Sequence, residues 1–219
     1  MTYIKDVKIT PRYDEPSVTF LMTIEGKNLY NIKGKVKILD KEQNIIKTLR
    51  IIPNVETEIK MPDNFRSWSP EDPYLYKVEY TYGKDVVKSY FGMRKFSIGL
   101  DKKNIKRLFL NNKPYFHNGV LDQGYWSDGY ITAPSDEAII YDIPTMKDLG
   151  FNMLRKHIKI EPKRWYYHCD IIGMLVWQDQ PSGGTFPFKR VNKTQFIKDN
   201  NYKEFSRENK KGRKNFVRD

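Results

Sequence analysis

Polar side chains gather behind two short apolar segments in the stretch from Leu149 to Gly184. Arg155 and His157 follow the first segment, and Gln178 and Asp179 follow the second. If both segments are parallel strands, these side chains stand at strand carboxyl ends, where sheets covered by helices bind their ligands. The spacing therefore predicts a binding site at this edge. A structural alternative stays open, because an arginine at a strand end often braces a buried carboxylate, and a structural role is open for Asp179 as well.

A second group of candidate residues lies earlier in the chain, directly after another apolar segment. Asp122 and Gln123 can hydrogen-bond to the hydroxyl groups of a ligand, and Trp126 can stack on a ring or simply pack its own loop. The three histidines show no spacing that indicates a metal site, and no cofactor is expected.

The elements that would position these residues alternate between strands and helices. The apolar runs Phe151 to Arg155 and Met174 to Trp177 predict two strands. Between them, Pro162 to Ile172 has helical spacing with a proline in its first turn. Parallel strands joined through a helix require a sheet covered on both faces, as in a doubly wound fold or a barrel.

The preceding residues extend the same pattern. Tyr115 to Leu121 predicts a strand, and Ser135 to Leu149 predicts a helix that Ser135 caps and Gly150 ends. Pro144 lies inside that helix and should bend or locally disrupt it. After Thr185 the sequence predicts an irregular loop and then a helix from about Tyr202.

The first hundred residues have a different character. Eight short runs alternate apolar and polar residues, and turn residues such as Gly83-Lys84 and Glu42-Gln43-Asn44 separate them. Seven or eight strands in that length predict an immunoglobulin-like β-sandwich over residues 1–100. The predicted fold class is multidomain β plus α/β: this sandwich is followed, over residues 101–219, by the opening of a (β/α)8 TIM barrel or a small doubly wound sheet. A barrel would be incomplete, since a complete one takes about 250 residues.

Composition limits the partners. The formal charge is +12, but much of it lies in a C-terminal segment of mixed sign, so no specific nucleic-acid partner is expected. Cys169, the single cysteine, excludes an internal disulfide and is predicted to be a buried thiol. No run is long enough for a membrane span and no signal peptide is evident, so the localisation stays open and would be cytoplasmic if Met1 is the natural start.

Several ordered motifs resemble one known family. At the junction of the two regions these are WSPEDPYLY from Trp68, FGMR from Phe91 and LNNKP from Leu110. In the second region they are NGVLDQGYWSDG, DLGFNMLRKH, WYYHCDIIGM and LVWQDQPSGG, which begin at Asn118, Asp148, Trp165 and Leu175. In order and spacing they are similar to the immunoglobulin-like domain and first three barrel strands of glycoside hydrolase family 2.

The resemblance implies a retaining β-glycosidase of the β-galactosidase, β-glucuronidase or β-mannosidase type. Such enzymes use two glutamates, one following an asparagine after the fourth strand and one near the seventh. This sequence has no Asn-Glu dipeptide, and it is expected to end before either strand. It is therefore predicted to be a fragment without catalytic residues and inactive alone, because Asp122, Asp128 and Asp179 cannot replace the missing pair.

The same resemblance implies which residues contact the substrate of the full-length parent, a β-glycoside. They are Asp122, Gln123, Trp126, Arg155, His157 and Asp179, with a site-lining histidine expected at position 157. The alternative is a non-catalytic module that binds a carbohydrate or a protein. An unfinished barrel would leave an open sheet edge, so self-association is also expected.

Overall fold

The computed structural model describes residues 2–26 and 33–181, together with 210, 213 and 214. Contacts between Cα atoms divide the described residues into two compact units. The first contains the chain through His117 together with His168–Met174, and the second contains Asn118–Tyr167 and the residues from Leu175 onward. The sequence-based boundary near residue 100 stays a prediction. The loop and helix predicted after Thr185 lie outside the described residues, apart from residues 210, 213 and 214.

The described residues of the first unit form ten strands. They are β1 (Thr2–Arg12), β2 (Ser17–Gly26), β3 (Gly34–Leu39), β4 (Ile45–Ile51), β5 (Thr57–Lys60), β6 (Tyr76–Tyr82), β7 (Asp85–Phe91), β8 (Phe96–Leu100), β9 (Lys106–Leu110) and β10 (Lys113–Pro114). Antiparallel pairing gives three sheets with the orders β1-β2-β5, β4-β3-β6-β7 and β10-β9-β8. All eight strands predicted in the first hundred residues are present, and so are both predicted hairpin turns.

One apolar core joins the first two sheets. In β6, Tyr76, Val78 and Tyr80 are buried while the residues between them are more exposed, as alternation across a pleated strand requires. These side chains cluster with buried residues of β2 such as Phe20, whose ring meets Tyr80 edge to face at 6.0 Å. The cluster extends from Ile4 to Met93, so this core is complete before β8 begins.

The proline-rich segment before β6 packs its tryptophan in the interior of the first unit. Trp68 is fully buried, and its indole Nε1 donates to the Asp170 carbonyl oxygen at 2.7 Å. The Arg94 guanidinium lies over the Trp68 ring at 4.3 Å and donates to the Asp170 carboxylate at 2.6 Å. Tyr90 donates to the same carboxylate at 3.1 Å. These contacts give the segment a structural role.

The second unit contains a three-stranded parallel sheet. Its strands are β11 (Gly119–Asp122), β12 (Met153–Lys156) and β13 (Leu175–Gln178), paired in that order. Helix α1 (Asp136–Asp148) connects β11 to β12, and helix α2 (Lys163–Ile172) connects β12 to β13. The predicted alternation of strands and helices is confirmed.

One detail of the prediction was wrong. The strand predicted at Tyr115 begins only at Gly119, and the Tyr115 amide donates instead to the Leu108 carbonyl oxygen of β9 at 2.9 Å. Helix α1 is not disrupted at Pro144 but continues to Asp148, and the bend predicted there as the alternative stays a prediction. Pro144 has no amide hydrogen to donate within the helix. At the next residue, the Thr145 hydroxyl donates to the Tyr141 carbonyl oxygen at 2.7 Å and adds a local hydrogen bond.

The ends of α1 follow the sequence signals. The Ser135 hydroxyl accepts from the Ala138 amide at 3.1 Å, and Gly150 follows the helix with a φ of 89°. Cys169 in α2 is buried, as predicted. Within the described part of the chain, no helix has both the length and the apolar character needed to cross a membrane.

Candidate functional site at the strand ends

The carboxyl ends of the three parallel strands meet in register at one edge of the sheet. Asp122 pairs with Lys156, and Lys156 pairs with Gln178. The backbone ladder continues beyond the strands, because the His157 amide donates to the Asp122 carbonyl at 2.9 Å and the Asp179 amide donates to the Lys156 carbonyl at 3.0 Å. Side chains far apart in sequence are thus neighbours at this edge.

Strand alternation sends consecutive residues of β12 to opposite faces. Leu154 and Lys156 are buried, whereas Arg155 between them is exposed. The Lys156 side chain is only 1% exposed, so its ammonium group needs compensating partners nearby.

Those partners form a buried ion cluster. Lys156 Nζ lies 2.6 Å from Asp122 Oδ2 and 3.0 Å from Glu161 Oε1. Lys159 Nζ lies 2.9 Å from the same Glu161 oxygen and also donates to the Gly124 carbonyl at 2.5 Å. Two ammonium groups and two carboxylates therefore balance one to one. The Trp165 ring lies 4.4 Å from Lys156 Nζ and completes the enclosure.

Arg155 and Asp179 pair on the exposed side. Arg155 Nε donates to Oδ1 at 3.1 Å and Nη2 donates to Oδ2 at 3.0 Å, which is a bidentate arrangement. The hydrogen bonds from Arg155 hold the pKa of the Asp179 carboxyl below its ordinary value. This contact matches the bracing role left open for both residues, although the Arg155 side chain remains 48% exposed.

Gln123 and His157 join the ends of β11 and β12. Gln123 Nε2 lies 2.9 Å from His157 Nδ1. With the amide nitrogen as donor, Nδ1 accepts, and in a neutral imidazole Nε2 then carries the hydrogen. This contact orients the His157 ring and leaves Nε2 as a hydrogen-bond donor.

Gln178 anchors the loop that follows β12. Its Oε1 accepts from the Tyr166 hydroxyl at 2.5 Å, and its Nε2 donates to the Lys159 carbonyl at 2.8 Å. The Tyr166 oxygen in turn accepts from the Glu161 amide at 3.1 Å. The loop that carries His157 is thus tied to β13 and α2 by side-chain hydrogen bonds.

Trp126 lies in the turn after β11, where its backbone forms two hydrogen bonds with Tyr130, at 2.7 and 3.0 Å. A cavity of about 410 Å³ opens beside it. Its lining consists of Gly124, Tyr125, Trp126, Glu137, Ala138, Tyr141 and Asp142. Burial, and then the nearby Asp122 charge, raise the pKa of Asp142 above the ordinary value of an aspartate.

All six predicted site residues lie at this edge or in the turn directly after it. They form pairs that sequence spacing did not predict: Asp122 with Lys156, Gln123 with His157, and Arg155 with Asp179. Sequence reasoning missed Lys156, although its separation of two residues from Leu154 indicates the buried face of the strand. It also missed Glu161 and Asp142, for which the sequence carries no comparable signal.

The described carboxylates at the strand ends are engaged in ion pairs, Asp122 and Glu161 with lysines and Asp179 with Arg155. The arrangement therefore favours hydrogen bonding to a polar ligand over proton transfer. Within the described residues, no group of three or more histidine, cysteine, aspartate or glutamate side chains is placed to hold a metal ion.

Comparison with known proteins identifies relatives that cover more than half of this chain. Residues 2–94 match the family described as Glycosyl hydrolases family 2. A β-galactosidase from Lactococcus lactis is 34% identical over 133 residues, which cover 58% of this chain and 13% of the relative. A protein named putative β-glucuronidase from Formosa agariphila is 26% identical over 201 residues, which cover 80% of this chain and 19% of the relative.

Solved structures show the same relationship. The β-glucuronidase of Faecalibacterium prausnitzii superposes with a TM-score of 0.67 at 25% identity, covering 80% of this chain and 27% of that protein. The β-glucuronidase of Bifidobacterium dentium, at 19% identity and a TM-score of 0.70, shares the fold over 82% of this chain and 31% of its own length. The chain thus spans a third or less of each of these proteins. Residues 2–94 thus match glycosyl hydrolase family 2, and relatives that cover up to 80% of this chain support its assignment as a fragment of a family 2 enzyme.

Proposed function

We propose that the chain is part of a retaining β-glycosidase. In this proposal the first unit contains an immunoglobulin-like sandwich, and the second is the beginning of a (β/α)8 barrel whose strand ends bind the sugar. The observation that carries the proposal is the register of β11, β12 and β13, which brings Gln123, His157 and Arg155 to one edge. In barrel enzymes this is the edge that holds the active site.

The roles follow from the contacts at that edge. His157, oriented by Gln123, presents Nε2 to a sugar hydroxyl. Arg155, held by Asp179, offers its remaining N–H donors to the sugar. The buried cluster around Lys156 fixes the strand ends and makes no direct contact with the substrate, because the Lys156 side chain is almost fully buried.

Hydrolysis itself requires groups that the described strand ends do not offer. Retention needs a carboxylate nucleophile and a protonated carboxyl about 5 to 5.5 Å apart. Asp122 and Asp179 are ion-paired, and the sequence contains no Asn-Glu dipeptide of the kind the family's acid/base occupies. We therefore propose that this chain binds glycosides and does not cleave them.

The test is to add methyl β-galactoside, β-glucoside and β-mannoside to the isotopically labelled 219-residue chain and follow the amide resonances. Saturable shifts at Gln123, His157 and Asp179, without hydrolysis of the matching nitrophenyl glycosides, are the expected result. Shifts confined to other regions, or turnover that disappears in Asp122→Asn or Asp179→Asn, would contradict the proposal.

A further inference from the structure

Asp142 is unlike the other carboxylates near the strand ends. Asp122, Glu161 and Asp179 each lie within 3.0 Å of a cationic nitrogen, whereas no such contact to Asp142 is found among the described residues. Asp142 is partly buried on α1 and lines the cavity beside Trp126. Its oxygens are therefore available to accept hydrogen bonds from a molecule in that cavity.

Aromatic rings form much of the cavity wall. Tyr125, Trp126 and Tyr141 all line it, and the two tyrosines are 55% and 67% exposed. Large exposed rings beside a few polar groups are typical of a small-molecule site. The flat apolar face of a pyranose ring can lie against such rings while the hydroxyls on its rim reach hydrogen-bond acceptors.

The charge around the cavity has one sign. Glu137 at the start of α1 stays ionised, because its own backbone amide and Ser135 lower its pKa. Asp142 adds a second carboxyl group. Lys156 attracts the Asp142 charge less strongly than Asp122 repels it, and the charges of Lys156 and Lys159 are matched by those of Asp122 and Glu161, so the surroundings of the cavity keep a net negative charge. A ligand with its own carboxylate would meet uncompensated negative charge here.

We propose that this cavity binds an uncharged pyranoside, with Trp126 against the ring and Asp142 accepting a hydroxyl hydrogen, and that it rejects sugars bearing a carboxylate. The inference rests on the proposed function and narrows its substrate class to neutral glycosides. Asp142 is then a specificity-determining residue, which acts by charge as well as by hydrogen bonding.

The experiment compares methyl β-glucoside with methyl β-glucuronide, which differ in one carboxylate, using the 219-residue chain at pH 7. Amide shifts of Ala138, Tyr141 and Asp142 report the cavity, and those of His157 and Asp179 report the strand ends. We expect the glucoside to shift the cavity resonances saturably and the glucuronide to bind about tenfold or more weakly there, a difference of roughly 1.4 kcal/mol.

Two variants and a control separate the contribution of the Asp142 charge to ligand binding from that of the Trp126 ring. Asp142→Asn keeps the side-chain shape and removes the charge, so the preference for the glucoside should shrink. Trp126→Ala should abolish the cavity shifts. Phe116→Ala, which removes a ring that is 79% exposed and outside the cavity lining, should leave both ligands unaffected.

Equal or tighter binding of the glucuronide, or an unchanged preference in Asp142→Asn, would overturn the inference. Shifts at His157 and Asp179 without any at the cavity would overturn it too, while leaving the proposed function intact. Cavity shifts without strand-end shifts would instead support the inference and count against the proposed role of the strand ends.

Discussion

Lys156 and Arg155 are neighbours in sequence with opposite environments. Arg155 lies on the exposed face with one carboxylate partner, whereas Lys156 lies among Asp122, Glu161 and Trp165. An exposed pair contributes little to stability because water screens it. A buried pair resists disruption, since removing one member leaves the other charged and desolvated.

We expect Lys156→Met to destabilise the protein strongly, by about 3 to 5 kcal/mol, because Asp122 would be left as a buried charge without its cation. The matched control is Arg155→Met on the same strand, for which we expect at most about 1 kcal/mol. Chemical denaturation of both variants measures the difference. Equal free energies of unfolding would contradict the assignment of Lys156 as the centre of a buried cluster.

At the level of elements, the turn after β11 controls how closely the ion cluster can pack. Gly124 has a φ of 60°, and a Cβ atom there would lie 2.4 Å from Glu161 Oε1 and 3.0 Å from Lys156 Nζ. Gly83, in the β6–β7 hairpin, has nearly the same φ of 61° but has nothing within 4 Å of such an atom. The two glycines share one backbone requirement and differ in their surroundings.

Alanine at Gly83 should therefore lower stability by only about 1 kcal/mol, the approximate penalty for a left-handed backbone. Alanine at Gly124 should lower it by clearly more, because the ion cluster must also shift. Melting temperatures of the two variants give the comparison. A Gly124→Ala variant as stable as Gly83→Ala would show that the cluster does not pack against this turn.

Local patterns were sufficient to predict most elements. Alternation predicted the strands β1 to β8 of the first unit, and Ser135 and Gly150 predicted both ends of α1. The start of β11 was predicted too early, at Tyr115, because Tyr115 to His117 has a strand-like local sequence. The pairing of β11 with β12 begins only where Gly119 meets Met153. At Gly119 a Cβ atom would lie 2.2 Å from the Met153 carbonyl oxygen, a constraint set by residues 34 positions away.

At the level of the whole molecule, the first core is complete in the N-terminal part of the chain. Its buried cluster lies between Ile4 and Met93 and joins both sheets. Residues 1–100 expressed alone should therefore give a β-type circular dichroism spectrum and a cooperative thermal transition. A helical spectrum, or the absence of a transition, would show that residues beyond this range are required.

The positions of the site residues could be predicted from the sequence better than the contacts between them. The sequence placed the six candidate residues at strand ends because apolar runs mark where strands stop. It could not predict their pairing, since Gln123 and His157 are brought together by register between β11 and β12. Nor could it predict Asp142, whose position at the cavity depends on how α1 packs beside the turn that carries Trp126.

The most direct test of the sugar-binding assignment is His157→Ala, with glycoside affinity and melting temperature measured on the same variant. If Nε2 donates to a sugar hydroxyl, the affinity of the 219-residue chain should fall by roughly 1.5 to 3 kcal/mol, about ten- to more than a hundredfold, with little change in melting temperature. A clear loss of melting temperature with unchanged affinity would contradict the account and assign His157 a structural role.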